Sequence, residues 1–180
     1  VTGLASMDFF TAPTATFRVL YVFIVLRQDR REIVHFNVTA RPTGRWTAQQ
    51  IVEAFPFDTA PRYLLRDRDR IYGDAVQRRI KSLSINEVLT APRSPWQNPF
   101  VERVIGSIRR DCLDHVIVLN ERHLRRILRE YFGYYHDCRR HLPLNKDSPK
   151  PRTVQPPAFG NIVALPCVGG LHHCYGRSAA

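Results

Sequence analysis

Near residue 40 the hydrophobic period of this 180-residue chain changes, and few folds accommodate that change. Before it come three β-like runs. Residues 4–10, "LASMDFF", are short and apolar. Residues 17–27, "FRVLYVFIVLR", are β-branched and aromatic and read as a buried strand. After the turn "DRR", residues 32–40, "EIVHFNVTA", alternate like a third strand. "TAPTAT" between the first two reads as a turn, so the three form an antiparallel meander. Beyond residue 40 helical and strand patterns alternate. "TAQQIVEAF" at 47–55 is helical with Thr47 as its N-cap, and "RYLLRD" at 62–67 is a short strand. "GDAVQRRIKSLS" is a basic amphipathic helix carrying Ala75, Val76, Ile80 and Leu83, and "INEVLTA" at 85–91 is another strand. Alternating strands and helices favour parallel pairing with right-handed crossovers. The sum is a mixed α/β sheet of about five strands flanked by helices.

Two further helices follow. In the first, Val101, Val104, Ile105, Ile108 and Cys112 form one apolar stripe, Asn98 stands at the N-cap, and Pro99 takes the first helical position, where its missing N–H costs nothing. The second, over roughly 121–136, buries Leu124, Ile127, Leu128, Tyr131, Phe132 and Tyr135. From about 143 prolines accumulate and periodicity fades. Residues 1–142 therefore read as the core and 143–180 as an irregular tail, with at most one short strand.

Three carboxylates stand out by position: Asp8 ending the first strand, Asp67 ending the fourth, and Glu102 in the first turn of the helix that Pro99 opens. In open α/β sheets, sites gather at the carboxyl ends of strands. If the first and fourth strands are parallel neighbours, Asp8 and Asp67 meet there. An oxygen-only cluster suits a hard divalent cation, magnesium or manganese, and two such ions serve phosphoryl transfer. Asp69 competes with Asp67 for the role; Asp67 is preferred because it directly follows the apolar run. The charge balance fits a phosphodiester substrate. Lys and Arg number 27 against 16 Asp and Glu, giving +11, and lysine occurs only at 81, 146 and 150. Arginine's planar fork suits phosphate recognition.

Asp8 in "MDFF", Asp67 in "RDRDRIYG" and Glu102 in "SPWQNPFVER" resemble the DDE pattern of insertion-sequence transposases and retroviral integrases. The last two acids are 35 positions apart, Arg109 lies where that family carries a basic residue, and "YYHDCRRHLPLNKDSP" looks like its segment after the core. The resemblance covers about residues 5–150. It implies a ribonuclease-H-like fold, with the first strand central beside the fourth. It also implies a polynucleotidyl transferase that cleaves and joins DNA strands in transposition. Asp8, Asp67 and Glu102 would hold two Mg2+ or Mn2+ ions, and Arg93, Trp96, Gln97, Asn98 and Arg109 would contact DNA. Element ends and target DNA would be the partners of a chain that is a homo-oligomer when active. On this reading the stiff loop fixes where the helix begins and so where Glu102 points, and Gly106 leaves room for a phosphate. The rival readings are a non-catalytic DNA-binding relic and a metal-dependent nuclease.

The longest apolar run is interrupted by Arg18 and too short to span a bilayer, and no signal-peptide pattern opens the chain. The four cysteines, Cys112, Cys138, Cys167 and Cys174, match neither a disulfide framework nor a zinc knuckle. These features point to a cytoplasmic protein without membrane contact. Starting almost inside its first strand, the sequence reads as N-terminally incomplete.

Overall fold

A computed structural model describes residues 3–69, 71–91 and 95–179. Five strands form one mixed sheet: β1 (Leu4–Pro13), β2 (Val19–Arg27), β3 (Glu32–Thr39), β4 (Tyr63–Arg66) and β5 (Asn86–Leu89), in the order β3-β2-β1-β4-β5. β1, β2 and β3 pair antiparallel, whereas β1–β4 and β4–β5 are parallel. The central strand is therefore β1, with β4 beside it, as the resemblance to transposases and integrases implied.

Helices cover both faces. On one, α1 (Gly44–Ala54) and α2 (Asp74–Ser82) pack Ile51, Val76 and Ile80 against Met7, Phe23, Val25 and Leu64. On the other, α3 (Pro99–Asp111) and α4 (Glu121–Asp137) pack their apolar stripes against Phe10, Val22, Ile24 and Leu26. Successive strand residues point to opposite faces, so Met7 and Phe9 pack toward α1 and α2, while Phe10 and Ala12 pack toward α3 and α4. Asp8 shares the parity of Phe10. It faces the layer that carries Glu102.

Three local readings are corrected. β1 does not stop at Phe10: "TAP" continues the ladder to Pro13, which pairs with Val19, so Asp8 stands in mid-strand. Proline is tolerated there because β4 has already ended, leaving β1 paired on one side only. The N-cap of α1 is Thr43, whose hydroxyl accepts the Trp46 N–H at 3.2 Å; Thr47 is inside the helix, buried, with its hydroxyl donating to the Thr43 carbonyl. The segment read as an irregular tail contains an antiparallel hairpin, β6 (Asn161–Cys167) and β7 (His172–Ser178).

Side chains attach this hairpin to α4. The Cys138 and Cys174 sulfurs form a disulfide, His172 stacks on Tyr134 with ring centroids 4.3 Å apart, and the His172 Nε2 meets the Asp111 carbonyl oxygen at 2.6 Å. The disulfide departs from the unpaired cysteines expected from spacing, because its partners are 36 residues apart and meet only through tertiary folding.

Candidate active site

β1 and β4 keep one parallel register through Ser6 and Leu65. The same offset, carried two residues further, brings Asp8 level with Asp67. At that point β4 ends and the chain turns away, while β1 continues beside β2. A cleft of about 700 Å³ opens where the strands part, and α3 closes its third side. Asp8, Asp67, Asp69, Asn98, Glu102 and Arg109 all line it. Three elements distant in sequence thus deliver Asp8, Asp67 and Glu102 to one space.

Each acid is presented differently. Asp8 is half-buried in the strand, and its Oδ1 accepts the Phe9 N–H at 2.7 Å. Burial pushes its carboxyl up to about 7, against the pull of that hydrogen bond; the negative charges of Asp67, Glu102 and Asp69 push the same way as burial. Asp67 Oδ1 accepts the Asp69 N–H at 3.2 Å and so shapes the turn after β4. Glu102 is exposed on the first turn of α3.

The loop before α3 does less direct work than the sequence reading gave it. Trp96, two residues before Asn98, is 70% exposed. The Gln97 Oε1 instead accepts the Ala91 N–H at 2.6 Å, tying the loop to the end of β5. Asn98 holds the N-cap position, and its carbonyl accepts the Glu102 N–H at 3.3 Å, but its side chain caps nothing. That side chain is buried at the cleft wall, with Oδ1 lacking a hydrogen-bond partner among the described residues. The Arg109 guanidinium lies 5.8 Å over the Phe10 ring at the cleft edge. Gly106 does not open a free space, since Arg110 Nη1 lies 3.1 Å from where a Cβ would stand. Arg93, the remaining DNA-contact candidate, lies outside the described residues.

Two supports of the site were missed in the sequence. Arg66 is buried at the end of β4; its Nε donates to Glu87 Oε1 at 2.6 Å, its Nη1 donates to the Asp67 carbonyl at 2.7 Å, and its guanidinium sits 5.1 Å over the Tyr72 ring. Arg68 Nε donates to the Thr90 carbonyl at 3.0 Å from the other side of Asp67. The signal was a charged residue inside the apolar run "YLLRD", which cannot be buried without a partner. The Tyr72 hydroxyl is also buried without a hydrogen-bond partner among the described residues, and burial plus the nearby charges of Asp8, Asp67 and Asp69 raise its pKa.

The donor set fits a hard divalent cation. The described residues offer Oδ2 of Asp8, Oδ2 of Asp67 and both Glu102 oxygens without a hydrogen bond, and these like charges face one cleft. Among the described residues no three such groups stand close enough to grip an ion as they are, so closure would require rotation of the side chains.

Sheet order, strand directions and the acids where β1 and β4 part define a ribonuclease-H-like core, the architecture of integrase and transposase catalytic domains. Residues 83–149, which include Glu102 but not Asp8 or Asp67, match the Integrase core domain family. Three solved structures share the fold at 12% identity. A chain of the simian T-cell lymphotropic virus intasome in complex with PP2A regulatory subunit B56 gamma aligns with a TM-score of 0.67, covering 98% of this chain and 67% of that one. The HTLV-2 integrase catalytic core domain, in complex with magnesium, aligns at 0.63 over 82% of this chain and 93% of its own. The catalytic domain of Mos1 mariner transposase aligns at 0.62, with 73% and 70% covered. No curated protein matches. The observed fold is the ribonuclease-H-like one that the resemblance read from the three acids implied.

Proposed function

We propose that this chain is a metal-dependent polynucleotidyl transferase that cleaves DNA strands and joins them to new ones, as transposases and integrases do. The observation that carries the reading is the convergence of Asp8, Asp67 and Glu102 on one cleft of a strongly basic chain. These three carboxylates would hold two magnesium or manganese ions. Bound there, such ions activate a water or hydroxyl and stabilise the leaving oxygen. The HTLV-2 core that shares this fold is named as a magnesium complex, in dimeric and trimeric forms, which favours the same ion and a homo-oligomer here.

The chain's own residues supply placement. Arg109 at the cleft edge would take a phosphate of the bound strand, and Trp96, two residues before the cleft-lining Asn98, offers an exposed aromatic face. The Asn98 carbonyl fixes the start of α3 and so the direction of Glu102. Arg66 and Arg68 hold the backbone on both sides of Asp67. In joining, a strand-end hydroxyl attacks phosphorus; one P–O bond forms, the opposite one breaks, and the leaving strand keeps the oxygen.

Product analysis tests this reading and separates it from simple hydrolysis. Short labelled duplexes incubated with the protein and manganese should yield strands longer than the input, and an Asp8→Asn sample should yield none. Shortened strands alone would favour a nuclease. Equal products from both proteins, or none from folded protein that binds metal, would favour a non-catalytic relic.

A further inference from the structure

A second charged site lies at the seam between the hairpin and the core. Alternation along β7 builds one wall. His172 and Cys174 point inward to Tyr134 and Cys138, so His173, Tyr175 and Arg177 point outward, and all three line a groove of about 810 Å³. The opposite wall comes from the segment after α4 and carries Arg140, Lys146 and Arg152. No lining residue is shared with the carboxylate cleft.

The charge there is uncompensated. Among the described residues none of Arg140, Lys146, Arg152 and Arg177 pairs with a carboxylate. The Arg177 guanidinium is held by two backbone carbonyls, of Gln155 at 3.2 Å and Gly160 at 2.9 Å, which fix its position without cancelling its charge. Lys146 projects from a tight turn in which both it and Asn145 have positive φ, a conformation that Asn adopts more readily than Lys. The one acid in the lining, Asp147, is already engaged: Arg30 Nη2 lies 3.2 Å away, and the Ser148 and Arg152 N–H groups donate to its other oxygen. Tyr175, 63% exposed, offers a flat ring between these cations.

We propose that this groove binds single-stranded DNA, its phosphates held by Arg140, Lys146, Arg152 and Arg177 and an unpaired base stacked on Tyr175. Fixed cations interleaved with an exposed aromatic ring are what a single strand needs, because every base has a stackable face whereas duplex bases are already stacked. The inference rests on the proposed function for the choice of polyanion, and it adds a DNA-binding surface on the hairpin side of α4. The Cys138–Cys174 disulfide is one of the bonds that hold β7 beside the groove.

Binding of the oxidised full chain to a fluorescent oligothymidine strand, and to a duplex of equal length, should be measured across a salt series. Arg140→Ala with Lys146→Ala should lower the slope of log affinity against log salt for the single strand by about 1.4, at about 0.7 for each phosphate no longer neutralised. Tyr175→Ala should weaken the single strand about fivefold or more, with the duplex little affected. A slope unchanged in the double variant, while Arg109→Ala still lowers it, would overturn the groove and leave the cleft reading standing. Equal losses on strand and duplex in the Tyr175→Ala protein would overturn the single-strand assignment. No binding of either oligonucleotide by the unaltered protein would overturn both the groove and the proposed function.

Discussion

The end of the sheet that carries the acids and the seam that carries the hairpin are held together in different ways. At the cleft, β1 lies in two backbone ladders up to Ser6 and is buried on both faces by apolar clusters, so the acids sit on elements fixed by many weak, mutually supporting interactions. At the seam, Ile162, Leu165 and Tyr175 are exposed, and Val168 is the only described hydrophobic side chain from 143–179 in the buried core. Attachment there depends on a disulfide, a stacked His172–Tyr134 pair and the His172–Asp111 hydrogen bond. The first region is rigid by packing. The second is held by a few specific bonds that chemistry can undo.

The largest effect should come from breaking the cleft itself. Glu102→Gln removes one charge and almost no volume from an exposed position, so strand cleavage and joining should fall to background while stability changes by no more than about 0.5 kcal/mol. Wild-type rates in that variant would separate Glu102 from the chemistry. Asp67→Asn should behave like it.

Arg66→Met tests the support beneath Asp67. The variant leaves the Glu87 carboxylate and the Asp67 carbonyl without their donor, and breaking a buried pair costs about 3–5 kcal/mol; with Glu87 partly exposed the lower end is expected. Urea unfolding should show the loss. An unchanged midpoint would mean that packing alone holds β4 and β5.

Reduction should act on the other region only. Cys138→Ser, or added reductant, should cost about 2–4 kcal/mol of hairpin attachment, read as faster hydrogen exchange in β6 and β7 with β1 to β4 unaffected. Exchange that accelerates in both regions would mean they unfold as one unit.

A milder perturbation is pH. Burial pushes the imidazoles of His136 and His141 down to about 4, and His136 Nε2 accepts the Ile33 N–H at 3.0 Å, so both are neutral in the folded protein. The unfolded chain takes up these protons below about 6.5 while the folded chain does not. These two histidines should therefore make stability fall as pH drops from about 6.5 to about 4, an effect partly offset by Asp8, whose raised carboxyl takes up a proton in the folded protein over the same range. Thermal melts should show the slope, and His136→Gln should flatten it. Smallest of all should be Asp69→Asn, whose carboxylate shapes the turn through the Ile71 N–H; rates should stay far closer to wild type than with Asp67→Asn.

How much of each region the sequence disclosed follows from the same difference. Strand parity and helical stripes are local, so the five strands, the stripe from Val101 to Cys112 and the buried face of α4 were all legible. Asp67 and Glu102 were legible because one follows an element and the other begins one, and Asp8 because it interrupts an apolar strand. Gln97 and Asn98 were not, because their side chains answer to neighbours and a buried wall that no spacing reveals. "HHCYGR" concealed an alternating strand because its inward residues are a histidine, a cysteine and a glycine rather than apolar ones. Cys138 and Cys174 met across 36 residues, a pairing that sequence spacing cannot supply.

If Asp8, Asp67 and Glu102 act together as one metal site, each should matter to metal binding itself. Manganese uptake followed by electron paramagnetic resonance reads this without DNA or turnover in the assay. The unaltered protein should take up manganese at the cleft, and Asp8→Asn, Asp67→Asn and Glu102→Gln should each weaken that uptake without lowering the melting temperature. Uptake that is the same in all four proteins would contradict a shared site.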